Sequence, residues 1–347
     1  MATPSRRNCW MTDLNPVLVD VTRGDFADKR HRGAVAVASV SGAVDFAVGC
    51  VDRPILPRSS IKLLQALPLV ESGAADAFRL DARRLALACA SHQGSRAHAA
   101  QVAAWLEAIG LGEDNLMCGP QIASDAETRA AMRAAGEAPS QLHNNCSGKH
   151  AGFLTLAKHL GADADGYIEI DHPAQIAVAS AFAETTEAEA PLPWAVDGCS
   201  APNFAASLVA VARAFGRVAR PEEGFSGARA VAARRLRDAM AAHPFEVAGR
   251  GRACTELAEA AEGRAILKTG AEGCFTAVLP ERGLGIALKI DDGDTAASEC
   301  AMAALLVRYG AVAAEDPRVA RRLAPPILNR RGVETGRRRA TATITSI

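Results

Sequence analysis

The sequence predicts an α+β fold in which an antiparallel sheet, formed from the N- and C-terminal segments, is covered by helices and joined to a central helical lobe. Three observations predict it. Short apolar runs with strand character lie near both ends, at residues 17–21, 34–40 and 44–50 and again at 265–268, 274–279 and 285–290. Stretches with helical periodicity fill the middle, at 60–72, 148–160, 174–187, 204–215 and 228–242. A further apolar helix at 296–309 follows the last strand and is suited to cover the sheet.

Each element has a local reason. Residues 34–40 and 44–50 flank Ser41-Gly42 and read as a hairpin. Residues 60–72 are amphipathic and stop at Gly73, and 84–90 form an apolar helix running into Ser91. Ser124-Asp125-Ala126-Glu127 reads as a capping box opening another helix. Gly270, Gly273 and Gly283 punctuate the C-terminal strands. The expected organisation is a flexible N-terminal tail at 1–14, an α/β lobe from 15–80 and 260–335, a mainly helical lobe at 81–259, and a C-terminal tail at 336–347. An active site is expected in the cleft between the lobes.

Composition narrows the function. Of 347 residues, 49% are hydrophobic, enough for a sizeable core. Lys plus Arg and Asp plus Glu each number 39, so no net charge draws the chain to nucleic acid or an acidic membrane. Arg337-Arg338-Arg339 is a small basic cluster that reads as a solvated terminus. The least charged stretch, 33–51, is cut by Ser39, Ser41, Gly42 and Asp45, which fits a hairpin and not a membrane span. Arg6 and Arg7 are followed by no apolar core before Asp13, so no signal peptide is expected and a cytoplasmic location is. The nine cysteines are odd in number and widely spaced, which reads as free thiols.

Five polar segments could carry chemistry. In Arg58-Ser59-Ser60-Ile61-Lys62, Ser59 and Lys62 stand three apart at a helix start and share a face, so the amine can take the hydroxyl proton if its pKa falls. Alone, the pattern reads as an N-cap serine followed by a surface lysine. Lys268-Thr269-Gly270 ends a strand, and a glycine there lets backbone approach a ligand closely. S-x-x-K followed late in the chain by K-T-G is the motif pair of serine β-lactamases and penicillin-binding proteins. Ser91, in Cys89-Ala90-Ser91-His92-Gln93-Gly94, falls where the second motif of those enzymes would, by position and not by identity. His143-Asn144-Asn145-Cys146-Ser147-Gly148-Lys149-His150 and Asp197-Gly198-Cys199-Ser200-Ala201-Pro202 each lead into an apolar helix. Their thiols could meet on a soft metal or be two buried cysteines, and no C-x-x-C or H-x-x-x-H spacing decides for a metal.

Taken together these segments resemble the bacterial asparaginase II family of the Rhizobium etli type, the class 3 asparaginases. The resemblance rests on Val21-Thr22-Arg23-Gly24 with His31-Arg32-Gly33, on Arg58-Ser59-Ser60-Ile61-Lys62-Leu63-Leu64-Gln65-Ala66-Leu67 and on Ala88-Cys89-Ala90-Ser91-His92. It rests further on Asn144-Asn145-Cys146-Ser147-Gly148-Lys149-His150-Ala151-Gly152, the Asp197 segment, and Lys268-Thr269-Gly270-Ala271-Glu272-Gly273. It implies a serine β-lactamase/glutaminase-like fold, usually a homodimer, and hydrolysis of L-asparagine to L-aspartate and ammonia. Ser59 is then the nucleophile, Lys62 its base, and Ser91 with Lys268 a second Ser-Lys pair. Cys146, Lys149 and Cys199 are the ligands of one zinc ion that does not itself supply the nucleophile. Arg58 and Asp197 hold the charged ends of the amino acid, with His150 and Gly270 also beside the substrate. One departure stands out: Gln93-Gly94-Ser95 occurs where Ser-Gly-Glu is common.

In the expected mechanism, Lys268 lowers the pKa of Lys62 by like-charge repulsion, Ser91 relays protons to the leaving ammonia, and backbone N–H groups near Ser59 and Gly270 hold the oxyanion. The nearest alternative is a glutaminase or another serine amidohydrolase of the same fold. An alternative of another class is a non-catalytic zinc- or amino-acid-binding protein.

Overall fold

The computed structural model describes residues 15–189 and 191–346. The N-terminal tail expected at 1–14 lies outside the described residues. The strands, in chain order, are β1 (Val17–Arg23), β2 (Phe26–Ser39), β3 (Val44–Val48), β4 (Pro54–Ile55), β5 (Trp194–Val196), β6 (Pro202–Phe204), β7 (Ala206–Ser207), β8 (Ile266–Thr269), β9 (Cys274–Leu279), β10 (Leu284–Ile290), β11 (Pro326–Leu328) and β12 (Glu334–Ala340).

One eight-stranded sheet joins the two ends of the chain, in the order β11-β12-β1-β2-β10-β9-β8, with β3 also paired to β2. The strand pairs are antiparallel, as expected. The long-range join is β2 to β10, in register from Gly33 opposite Ile290 to Ser39 opposite Leu284. Every residue of β9 is buried, and only Lys289 in β10 is not. Alternate residues point to opposite faces, so the sheet is covered on both sides. The helix Leu208–Ala219 packs on β2, β9 and β10, and the helix Thr295–Arg308 packs on β1, β9, β10 and β12. The first of these contacts depends on two glycines. A Cβ on Gly285 would lie 2.1 Å from the Gly216 amide nitrogen, and one on Gly216 would lie 2.6 Å from the Ser39 carbonyl oxygen.

Five expectations are corrected. Residues 336–347 are not a tail: β12 pairs with β1, placing Arg338 opposite Val21 and Arg339 opposite Asp20. Alternate arginines in a half-covered strand hide their apolar stems, so a basic run does not preclude a strand. The helix expected at 60–72 is broken into a 3-10 turn Arg58–Ile61 and two short helices, Lys62–Gln65 and Leu67–Glu71. Pro68 has no N–H to continue the first helix. The capping group near residue 124 is Asp125, whose carboxylate accepts from the Thr128 amide at 2.9 Å. The cysteines are not all free: seven of the described ones are, whereas Cys50 is disulfide-bonded. The helix expected at 204–215 begins later, at Leu208, because β6 and β7 occupy its first residues and Ser207 caps it.

Candidate active site

The S-x-x-K segment lies against the end of β8 and β9. Thr276 Oγ1 donates to the Ser60 carbonyl at 2.8 Å. A Cβ on Gly270 would stand 2.8 Å from the Pro57 carbonyl oxygen and 3.0 Å from the Ser60 amide nitrogen, so only glycine lets the K-T-G strand pass this close. The turn is held in an unusual conformation: Arg58 has φ of 55°, a left-handed value rarely adopted by a residue with a side chain. Ser59 is half-buried at this junction. Neither its own N–H nor that of Ala271 has a hydrogen-bond partner among the described residues. The Gly270 N–H, by contrast, is taken by the Cys274 carbonyl at 2.8 Å, and that of Ser60 by the Pro57 carbonyl at 3.2 Å. The donors free to meet a developing oxyanion are therefore those of Ser59 and Ala271.

Three residues on from Ser59, Lys62 belongs to a buried polar chain. Lys62 is fully buried, and its Nζ donates to Ser91 Oγ at 3.0 Å, to the Ala90 carbonyl at 2.5 Å and to Cys146 Sγ at 3.1 Å. Lys268 Nζ donates to the same Ser91 oxygen at 2.9 Å and to the Thr269 carbonyl at 2.7 Å. No hydrogen bond joins Lys62 to Ser59. The structure thus brings Lys62, Ser91 and Lys268 together, and the Ser59 hydroxyl makes no hydrogen bond among the described residues. Burial, reinforced by the positive charge of Lys62, pushes the Lys268 amine down to about 7. Lys62 is thus the repelling neighbour of a lowered Lys268 amine.

Ser91 is positioned by backbone. Its N–H donates to the Val247 carbonyl at 2.9 Å, and the N–H of His92 donates to the Asn145 carbonyl at 3.2 Å. His92 Nδ1 accepts from the Gly94 amide at 3.1 Å, so its Nε2 carries the proton given to Ser147 Oγ, 3.0 Å away. Burial holds its pKa well below the usual range, which keeps the ring neutral. This ties the Ser91 turn to the helix Ser147–His159. The Gln93-Gly94-Ser95 departure is structural: Gln93 Nε2 donates to Asp125 Oδ1 at 2.8 Å, and Ser95 caps the helix Arg96–Ala108.

The two cysteine segments meet. Lys149 Nζ donates to Cys199 Sγ at 3.1 Å, and Cys146, Lys149 and Cys199 are all buried. A hydrogen bond from Cys146 pushes the Cys199 thiol far down, and Lys149 adds to this against the cost of burial. The same bond, with burial, pushes Cys146 well up. Burial works against charge on Lys149, but the two sulfurs outweigh it and its pKa is raised. His150 is fully buried in this cluster: its Nδ1 meets the Tyr167 hydroxyl at 2.7 Å, and Nε2, near Cys199, makes no well-formed hydrogen bond. Two sulfurs, an amine and an orphaned imidazole nitrogen are the donor types that zinc takes. Among the described residues no group of three or more His, Cys, Asp and Glu is arranged to hold a metal, so Lys149 would have to serve as a third ligand. Lys62 links the sulfur cluster to Ser91.

Arg58 and Asp197 form a tight ion pair, with Arg58 Nε 2.8 Å and Nη2 2.6 Å from Asp197 Oδ1. Burial disfavours the Arg58 charge, but Asp197 more than offsets it and raises the pKa. Arg58 also lines a cavity of about 440 Å³. The sequence reading missed Tyr167 and Thr276, which had no local signal.

The family model described as L-asparaginase II matches residues 19–340. That match makes the chain an amidohydrolase, an enzyme class in keeping with buried lysines around a serine hydroxyl. The chain belongs to the L-asparaginase II family. A search of curated proteins found no match. Among solved structures, the chain is similar to a β-lactamase, Mb2281c, from Mycobacterium bovis, at TM-score 0.42 and 14% identity over 80% of this chain and 94% of that one. It is also similar to Mglu in its tris and glutamate form, at TM-score 0.41 and 14% identity over 87% of this chain and 65% of that one. A third is a putative beta-lactamase from Bacteroides dorei DSM 17855, at TM-score 0.39 and 11% identity over 74% and 84%. No described helix is long and apolar enough to cross a membrane.

Proposed function

We propose that this enzyme hydrolyses the side-chain amide of L-asparagine to L-aspartate and ammonia, with Ser59 as nucleophile, as a cytoplasmic homodimer. The observation that carries the reading is the position of Ser59. Its turn packs against Gly270, and its own N–H and that of Ala271, the residue after Gly270, are unpaired among the described residues. Lys62, three residues on, belongs to the buried Lys62–Ser91–Lys268 chain. Ser59 Oγ attacks the amide carbon and the C=O electrons move to oxygen, where the two N–H groups receive them. Lys62 first passes a proton through the Ser91 hydroxyl to the unprotonated amine of Lys268, then turns from Ser91 and takes the serine proton. The C–N bond breaks, nitrogen takes the proton, and ammonia leaves. Water then attacks the acyl ester by the same route and frees aspartate.

Arg58 receives the α-carboxylate and Asp197 holds Arg58 in place. Cys146, Lys149 and Cys199 would hold one zinc ion, whose positive charge would orient the substrate or tune Ser59. For that, Lys149 and Cys146 must each give up a proton.

A second reading exchanges the serines. Ser91 Oγ, and not Ser59 Oγ, receives both lysine amines, which favours it as the activated hydroxyl. Mass spectrometry of the acyl adduct separates the two. Ammonia release should be faster on asparagine than on glutamine, and Ser59→Ala should abolish the adduct. An adduct on Ser91 would exchange the roles, and no ammonia from either amide would end the proposal.

A further inference from the structure

The cavity lined by Arg58, the residue before Ser59, contains a carboxylate that the mechanism does not use. Glu272 lies in the turn between β8 and β9, and lines the cavity with Arg58, Asp291 and Lys289. The cavity's other carboxylate, Asp291, is held by Asn15 Nδ2 at 2.9 and 3.1 Å. Asp197, across Arg58, already accepts on Oδ1 from Arg58 Nε and from the Gly198 amide, at 2.8 and 2.7 Å. The Glu272 carboxylate accepts no hydrogen bond among the described residues. It stands 4.0 Å from Arg58 Nη1, with its side chain 67% exposed.

Its position is nevertheless set by the fold. Glu272 has φ of 56°, a left-handed value that a residue with a side chain rarely adopts. Its carbonyl accepts from Lys289 Nζ at 2.6 Å. Its Oε2 lies over Gly293, 2.7 Å from where a Cβ there would stand. A guanidinium and an unengaged carboxylate, loosely paired across a cavity, complement the carboxylate and ammonium of a free α-amino acid.

We propose that Glu272 reads the substrate's α-ammonium, and that with Arg58 it restricts this site to amides bearing a free amino-acid end. This rests on the amide-hydrolase reading above and adds a specificity determinant to it. Asp197 is then a positioning residue for Arg58.

The test compares L-asparagine with succinamic acid, which keeps the carboxylate and the amide but lacks the amino group. Wild type should prefer asparagine. Glu272→Gln should raise KM for asparagine roughly 10- to 100-fold, as expected for losing a charged hydrogen bond. Its kcat should change little, and turnover of succinamate should be unaffected. Glu272→Asp should recover part of the preference, which a general loss of folding would not allow. An unchanged asparagine-to-succinamate ratio in Glu272→Gln would overturn the proposal. If wild type hydrolyses neither amide, the hydrolase reading fails on its own, and calorimetry with L-aspartate and succinate decides the Glu272 role. A preference for aspartate that Glu272→Gln removes supports it; equal binding, or none, overturns it.

Discussion

Lys62 and Lys268 direct their amines at a single oxygen, Ser91 Oγ, from 3.0 and 2.9 Å. Two ammonium groups converging in a buried site repel each other, so one gives up its proton more readily. Here it is Lys268, brought down to about 7 by burial and by Lys62.

Activity should therefore rise with pH through an apparent pKa of about 7, as Lys268 loses its proton. Lys268→Met should remove this rise and lower kcat by roughly 10²- to 10⁴-fold. The pH profile of kcat for the two proteins is the measurement.

The same shift has a stability consequence of defined sign. Lys268 is near 7 when folded and about 10.4 when unfolded, so between those values the unfolded chain holds more protons. Its penalty is complete below the folded value and fades as pH rises toward the unfolded one. Lys268→Met should gain most over wild type below about pH 7 and progressively less toward about pH 10. Urea midpoints across this range test it, and a constant difference would contradict it.

Ser59→Ala and Ser91→Ala should differ in kind. The first should leave no acyl adduct. The second should still form one, with kcat reduced roughly 10²-fold or more by loss of the proton relay. Single-turnover kinetics with intact-mass detection resolves the two cases.

Gly270→Ala should act at the junction of the two motifs. Its Cβ meets the Pro57 carbonyl at 2.8 Å, and relief requires the Ser59 turn to move. A loss of about 1–3 kcal/mol in stability is expected, with a larger fractional loss of kcat. Gly285→Ala, which strains the contact of β10 with the helix Leu208–Ala219, should destabilise without changing kcat of the folded fraction.

Chelation should weaken substrate binding or stability more than it slows chemistry, and Cys199→Ser should mimic it. Metal content per subunit, melting temperature and KM, measured together, would show whether the Cys146–Lys149–Cys199 cluster holds zinc.

Much of this was legible because the signals are local. Strand runs at both ends, the turn at Ser41-Gly42 and the polar segments before apolar helices follow from neighbouring residues. The candidate chemical groups Ser59, Lys62, Ser91, Cys146, Lys149, Cys199 and Lys268 stood out for the same reason. The misreadings were tertiary. β12 looked like a basic tail because its pairing with β1 joins residues 19–21 to 338–340. Glu272 was quoted only as part of the segment 268–273, because its nearness to Arg58 is a product of the fold.

The sequence alone determined which reactive groups exist, which turns present them, and that both chain ends would contribute strands. Only the tertiary structure decided that Ser91 is the shared partner of both lysines and that Lys268 carries the lowered amine. A pKa depends on which charges and dipoles lie within a few ångströms and how much water remains there. Lys268 and Ser91 are 177 residues apart along the chain, and the folded sheet and helices bring them to 2.9 Å.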